Sequence, residues 1–381
     1  MFLLVLIGNF AYGQAKKASF PQPFSLDGEV KFVHDPSIIK AGDIWYVFST
    51  TTEADREGEL PIRCSKDLHH WKRCGYVFPA IPDWIRKGSP GTKNLWAPDI
   101  SYFNGEYHLY YAFSLFGKNT SGIAVVTNKT LDPTGPGFRW VDRGLVLRSK
   151  AEDDFNAIDP NLVAEKSGRP WLSFGSFWAG IKMRRIDPAT GGLSGADTKL
   201  YSLAKRKPPD NPEAAPPGLP ANWQAIEAPS IVRHDGFYYL FASFDLCCRG
   251  LKSTYKTMVG RSRNVTGPYV DENGTPMLEG GGTPVLVGNS QWIGPGGESV
   301  RRKSDVDIIV FHAYDRKSGA PYLQLSTIDW TGGWPHAALE GNNTARAAFP
   351  ETALHWNVRP KKNNGSYCGN AKSLFMRALF Y

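Results

Sequence analysis

One hydrophobic–polar pattern occurs five times along the chain. Each copy opens with an acidic residue beside Pro or Ser. A short apolar run follows, then a turn, then an aromatic-rich run. The copies are HDPSIIKAGDIWYVFST from His34, APDISYFNGEYHLYYAFS from Ala97, IDPNLVAEKSGRPWLSFGSF from Ile158, EAPSIVRHDGFYYLFASF from Glu227 and the more divergent GESVRRKSDVDIIVFHAYD from Gly297. Turn residues such as Ala41-Gly42-Asp43, Asn104-Gly105, Ser167-Gly168 and Asp235-Gly236 split the first four into hairpins. The acidic anchors are Asp35, Asp99, Asp159, Glu227 and Glu298, spaced by 64, 60, 68 and 71 residues. Each interval has room for four strands with generous loops. A supersecondary unit repeated in this way predicts an all-β, single-domain, five-bladed β-propeller. The first strand of every propeller blade lines the central channel. Anchors at equivalent places would therefore converge at one channel mouth, where like charges repel unless they are used.

The repeat covers residues 28–335. Lys205 to Pro220 is Pro-rich and is expected to be a loop preceding Glu227. Residues 336–381 have little strand periodicity. A disordered tail, an extra cap and a mis-assigned reading frame all remain open for them. Residues 1–13 resemble a secretory signal peptide: Phe2 to Ile7 is apolar, and Ala11-Tyr12-Gly13 offers a cleavage site. No Lys or Arg precedes the apolar core, so the start is open to truncation. The expectation is a secreted, extracellular protein.

Composition narrows the class. Aromatics make up 13% of 381 residues, with 39 Gly and 28 Pro, which suits short strands and turns and argues against a helical bundle. No internal apolar run approaches the roughly 18 residues of a membrane helix, so no membrane partner is expected. The net charge is 44 − 36 = +8, and residues 336–381 contribute 6 − 2 = +4 of it. Without a dense basic helix or nucleic-acid motif, this charge is taken as a solvated surface, with no nucleic-acid partner. Of the five cysteines, Cys64 and Cys74 are placed to bridge a hairpin. Cys247 and Cys248 are adjacent, and Cys368 makes the count odd. Sequons start at Asn119, Asn128, Asn264, Asn273, Asn342 and Asn364, and weakly favour a secreted glycoprotein.

Carboxylates from different blades at one mouth suit glycoside hydrolysis. One protonated carboxyl donates to the leaving oxygen, and one ionised carboxyl activates water or attacks. A third nearby can hold the acid protonated. The motifs HDPSII, WAPDI, NAIDPNL, GSFWAGI, IEAPSIV and FHAYD, in this order and spacing, resemble glycoside hydrolase family 43, and within it the endo-α-1,5-L-arabinanases. LSTIDWTGGWP, from Leu325, resembles the closing strand of that family. The resemblance implies an inverting enzyme. Asp35 would be the general base, Glu227 the general acid, and Asp159 the residue that raises and orients the acid. Asp99 stays open between a supporting and a structural role.

Sugar binding needs flat apolar faces and directional polar groups. Trp96, Phe116, Phe177 and Trp178 are candidate platforms, and Asn156, Asn161 and Ser176 candidate hydrogen-bond partners. The resemblance implies substrate contacts at Asp35, Gly117, the run Asn156-Ala157-Ile158-Asp159 and the run Ser176-Phe177-Trp178. It also implies that His312 helps hold one hydrated calcium ion in the channel, with His34 supporting Asp35, and that Cys247-Cys248 lies near the cleft. No organic cofactor is expected. The substrate would be linear α-1,5-arabinan of pectin, cut internally by a monomer. Two rivals stand: an exo-acting arabinofuranosidase or β-xylosidase on the same fold, and a non-catalytic carbohydrate-binding propeller.

Overall fold

The computed structural model describes residues 20–55, 57–207, 224–303 and 306–341. The expected leader, most of the Lys205–Pro220 loop and Cys368 lie outside them. Five sheets form five blades, with every strand pair antiparallel but one. The first holds β1 (Asp27–Gly28), β2 (Ser37–Ala41), β3 (Ile44–Phe48), β4 (Glu59–Ser65) and β5 (His70–Phe78). The second holds β6 (Trp96–Phe103), β7 (Glu106–Phe113), β8 (Gly122–Asn128) and β9 (Val141–Arg148). The third holds β10 (Asn161–Ala164), β11 (Pro170–Phe174), β12 (Ile181–Arg185) and β13 (Tyr201–Ala204). The fourth holds β14 (Ile226–His234), β15 (Phe237–Phe244), β16 (Lys256–Ser262) and β17 (Thr283–Leu286). The fifth holds β18 (Trp292–Lys303), β19 (Val306–Asp315) and β20 (Pro321–Ile328). The predicted propeller is therefore the fold.

The core is divided among the five seams between blades. In β3, Tyr46 and Phe48 pack toward blade two, while Trp45 and Val47 pack toward blade five. In β19, Ile309 and Phe311 meet blade four, and Ile308 and Val310 meet blade one. Both faces of these strands are covered. That is why WYVF and DIIVFHAY are continuous apolar runs rather than alternating ones. Truncating a fully buried ring such as Phe311 would cost about 3–5 kcal/mol.

The fifth sheet lacks a fourth long strand of its own. The N-terminal segment supplies one. Phe24 N–H donates to Leu325 O, Leu323 N–H to Val30 O and Phe32 N–H to Pro321 O, along β20. Between Phe24 and Val30, β1 pairs with β5 of the first blade. The ring is thus clasped by the start of the chain as well as by the sequence at its end.

The first residues beyond Pro335 pack on the ring: His336 pairs with Asp329, and Leu339 is buried in the seam between blades four and five. Two of the six sequons are closed to glycosylation in the fold. The Asn119 side chain is buried and donates to the carbonyls of Lys150, Asp153 and Phe155. Asn128 is also buried, and its Oδ1 accepts from the N–H groups of Thr130 and Arg139. Asn264 and Asn273 are exposed.

Candidate active site

Each blade enters the channel through one tripeptide: Asp35-Pro36-Ser37, Ala97-Pro98-Asp99, Asp159-Pro160-Asn161, Ala228-Pro229-Ser230 and Gly297-Glu298-Ser299. All of these residues except Ser230 line a narrow cavity of about 30 Å³. The first residue of each is left-handed, with φ of 48°, 42°, 56°, 52° and 60°. For a non-glycine residue this costs roughly 1–2 kcal/mol. The strain turns the backbone at the channel mouth.

This register corrects the sequence alignment of the anchors. Asp35 and Asp159 are equivalent. Glu227 stands one place earlier, Glu298 one later and Asp99 two later. The acidic residues are not five copies of one position, and they do different things.

Asp99 is structural. Its carboxylate accepts Leu162 N–H at 2.8 Å, Asn161 Nδ2 at 3.2 Å and Ser37 Oγ at 3.3 Å. Arg301 of blade five reaches across to it at 3.3 Å. Asn161 Oδ1 accepts Ile231 N–H in turn, Ser37 Oγ accepts Ile100 N–H, and Ser230 Oγ accepts Val300 N–H. The third residue of the first four tripeptides thus ties its blade to the next, at four successive seams. Asn161, a candidate sugar partner, is engaged in this ring instead.

The other carboxyls gather at the mouth. Asp35 Oδ2 accepts the Thr50 hydroxyl at 2.6 Å, and Thr50 Oγ1 accepts Ala97 N–H at 2.7 Å. Burial pushes Asp35 above its ordinary value, while His34 and the Thr50 hydrogen bond pull it back. Glu227 is the first acid of β14, opposite Ser243 of β15. Its Oε2 accepts the Ser176 hydroxyl at 2.6 Å, and Tyr255 also hydrogen-bonds its carboxyl. Burial pushes Glu227 up to about 7, against those two hydrogen bonds and with a small contribution from Asp35. Asp159 is raised well above its ordinary range, first by burial and then by the charges of Glu227 and Asp35. Two buried carboxyls in mutual repulsion retain a proton at neutral pH. Asp159 is anchored by Ala228 N–H at 3.0 Å.

Glu298 is a fourth buried carboxyl. Its Oε2 accepts Ser243 Oγ at 2.6 Å and Thr257 Oγ1 at 3.2 Å, while Oε1 has no partner among the described residues. Burial raises it to about 7. At Gly297 an added Cβ would stand 2.7 Å from Asp35 Oδ1 and 2.8 Å from the His312 ring. Only glycine leaves that space.

Ser176, Phe177 and Trp178 are brought to Glu227. Ser176 touches it, Phe177 N–H donates to Ile226 O, and Phe177 and Trp178 are half-buried with φ of 55° and 43°. Trp96 is half-buried at the start of β6, its indole N–H held by Asn94. Phe116 is exposed beside Gly117, which has φ 77° and open space where a Cβ would be. Asn156, Ala157 and Ile158 are buried, and Asn156 Oδ1 accepts the Ser121 hydroxyl at 2.6 Å. The side chain of Asn156 therefore orders the loop leading to Asp159. Sequence reasoning missed Thr50, Ser243 and Tyr255, which carry no motif of their own. Cys64 and Cys74 are bridged across the β4–β5 hairpin. Cys247 and Cys248 are bridged to each other, and Cys248 N–H donates to the Tyr314 hydroxyl at 2.7 Å.

His34, Asp35 and His312 offer ligand atoms within 4.8 Å of one another. His312 Nδ1 accepts Asp35 N–H at 3.2 Å, and Nε2 lies 3.4 Å from the Tyr314 hydroxyl. Burial holds both imidazoles below their ordinary value, hence neutral. Two imidazoles and one carboxylate do not suit direct binding of calcium, which selects oxygen donors.

Residues 30–335 match the model of the family described as Glycosyl hydrolases family 43. The chain is 42% identical to an extracellular endo-α-(1→5)-L-arabinanase of Bacillus subtilis, over 80% of this chain and 87% of that one. It is 41% identical to an extracellular exo-α-(1→5)-L-arabinofuranosidase of Cellvibrio japonicus, over 80% of this chain and 85% of that one. Among solved structures, an α-L-arabinanase of Cellvibrio cellulosa complexed with arabinohexaose matches with a TM-score of 0.74 and 38% identity. That match covers 81% of this chain and 96% of the other.

Proposed function

The chain belongs to glycosyl hydrolases family 43, and we propose that it is a secreted endo-α-1,5-L-arabinanase that hydrolyses linear arabinan with inversion. The observation that carries this reading is the acid's setting. Glu227 is buried, raised to about 7 and oriented by Ser176 and Tyr255, and it is close enough to Asp159 and Asp35 for their charges to couple. The two relatives, named an endo-α-(1→5)-L-arabinanase and an exo-α-(1→5)-L-arabinofuranosidase, favour α-1,5-linked arabinose as the substrate class. The extracellular names of the same two relatives favour secretion.

The chemistry follows from the protonation states. Glu227, still protonated near neutral pH, gives its proton to the leaving glycosidic oxygen. Asp35, held by Thr50, takes a proton from water as that water attacks the anomeric carbon from the opposite side. The carbon–oxygen bond breaks, a new one forms to water, and the configuration inverts. Asp159, anchored on Ala228, keeps the proton on the pair it forms with Glu227. Half-buried Trp96, Phe177 and Trp178 would present ring faces to the sugars.

The exo reading keeps one specific support, the 41% identity to the Cellvibrio exo-enzyme. Incubation with debranched linear arabinan separates the two. A spread of arabino-oligosaccharides at early times supports endo cleavage. Arabinose alone from the start supports the exo enzyme. Binding without any product would make the chain a carbohydrate binder and sink the assignment of the three carboxyls.

A further inference from the structure

A second cleft lies at the other end of the blades. It has a volume of about 340 Å³ and sits between blades three and four. Asp159 and Glu227 stand where β10 and β14 begin, at the channel mouth. The cleft is bounded by the β10–β11 turn and by the segment after β16, at the far ends of those strands. It is therefore separate from the candidate active site.

Its chemistry is unusual for a packing defect. Trp171 and Tyr201 form an edge-to-face pair within its lining, with centroids 5.5 Å apart. Trp171 is 6% exposed, yet its indole N–H has no acceptor among the described residues. Arg185, register partner of Trp171 across β11 and β12, has no ion pair or side-chain hydrogen bond among them either. Arg263 lies over the Phe237 ring at 4.0 Å and is otherwise free to face a ligand. Of the two carboxylates in the lining, Glu165 is paired with Arg169, which leaves Asp197 without an ion pair among the described residues. The lining thus has aromatic faces, two unpaired guanidinium groups, an orphan buried donor and one unpaired carboxylate.

We propose that this cleft binds a uronic acid residue of an acidic polysaccharide. A guanidinium group matches a sugar carboxylate by charge-assisted hydrogen bonds. Asp197 takes a sugar hydroxyl, which a simple inorganic anion lacks. The aromatic pair covers the ring, and the volume falls in the range of small-ligand sites. The inference deepens the arabinanase reading and rests on it. The enzyme would be held on the acidic backbone of the polymer whose neutral side chains it cuts, with the cleft and the mouth on opposite faces.

The test is titration of the whole protein, prepared without N-glycans because Asn264 is on the rim, with trigalacturonate in calorimetry at fixed salt. Saturable one-site binding is expected. Arg185→Ala and Arg263→Ala should each weaken it about tenfold. Lys129→Ala, which removes the same charge elsewhere on the surface, should not. Arabinotriose should not compete. No binding, equal weakening by Lys129→Ala, or competition by arabinotriose would overturn the proposal. Hydrolysis of linear arabinan, followed in parallel, should be unchanged in Arg185→Ala. Hydrolysis without uronate binding removes this inference alone. Uronate binding without hydrolysis removes the arabinanase reading alone.

Discussion

Asp159 Oδ2 accepts the backbone N–H of Ala228 at 3.0 Å, so the carboxyl is fixed to the residue that follows Glu227. This bond makes the two acids a unit built from neighbouring blades. Asp159 cannot swing away to relieve the repulsion, so the pair holds a proton instead. Asp159→Asn keeps an acceptor for Ala228 N–H and removes the charge. We expect hydrolysis to fall by about a hundredfold or more. The alkaline limb of kcat/KM should move to lower pH, because Glu227 then ionises more easily. A profile unchanged in position would refute the coupling.

The wild-type profile should be a bell. Activity needs Asp35 ionised, and burial raises its value, so the rate climbs as pH rises through that raised value. Activity also needs Glu227 protonated, so the rate falls as pH rises through about 7. Glu227→Gln and Asp35→Asn should each lose about 10²–10⁴-fold in kcat while sugar binding survives. Measuring kcat and binding of an arabino-oligosaccharide in the two variants checks this. Retained hydrolysis in either would displace that residue from its role.

Glu298 should show itself in stability. Its folded value of about 7 lies above the ordinary 4.5. Stability gained by burying it protonated is fully present below 4.5 and is lost as pH rises through 7. Glu298→Gln mimics the protonated form and still accepts from Ser243 and Thr257. Thermal unfolding of the variant should match wild type at pH 4 and be more stable at pH 8, by up to about 3 kcal/mol. Equal pH dependence in both proteins would contradict a buried neutral Glu298.

Asp99 is also raised by burial, but Arg301 and its hydrogen bonds pull it back. It is buried and paired with Arg301, and it also caps Leu162 N–H. Asp99→Ala takes the carboxylate from the half-buried Arg301 guanidinium, leaving it only Ile38 O, Ile100 O and Ser101 Oγ, and breaks ties to three other blades. The expected loss is about 3–5 kcal/mol. Denaturant unfolding would measure it, and a loss below 1 kcal/mol would mean that the ring of ties at the channel contributes little.

The fold was legible because the same unit recurs and each copy must bury both faces in two seams. Aromatic runs and Gly turns therefore repeat with it. The anchors were legible as chemistry but not as geometry. Acidity aligned Asp35, Asp99, Asp159, Glu227 and Glu298, whereas the backbone aligns Asp35, Ala97, Asp159, Ala228 and Gly297. The signal for the true register was the Pro that follows four of those five, at 36, 98, 160 and 229. The inward turn of Asn156 and Asn161 was not legible, since an amide serves a loop or a sugar equally well. Tyr255 reaches Glu227 from a loop with no repeated pattern. The fourth strand of the last blade was hidden because it lies at the other end of the sequence.

That strand gives the final prediction. Gln22, Phe24, Val30 and Phe32 bond to β20 through their backbones, and Phe24, Leu26 and Val30 pack against the seam of blades five and one. Three such side chains, partly buried, contribute about 3 kcal/mol or more at the usual values. They also cover the open edge of the fifth sheet, which would otherwise be free to pair with another chain. A chain beginning at Gln14 keeps the whole strap and should unfold like the full-length protein. A chain beginning at Val33 should lose several degrees in Tm and self-associate, as read by light scattering. If both truncations unfold at the same temperature, the ring is closed by the contacts of blades five and one alone.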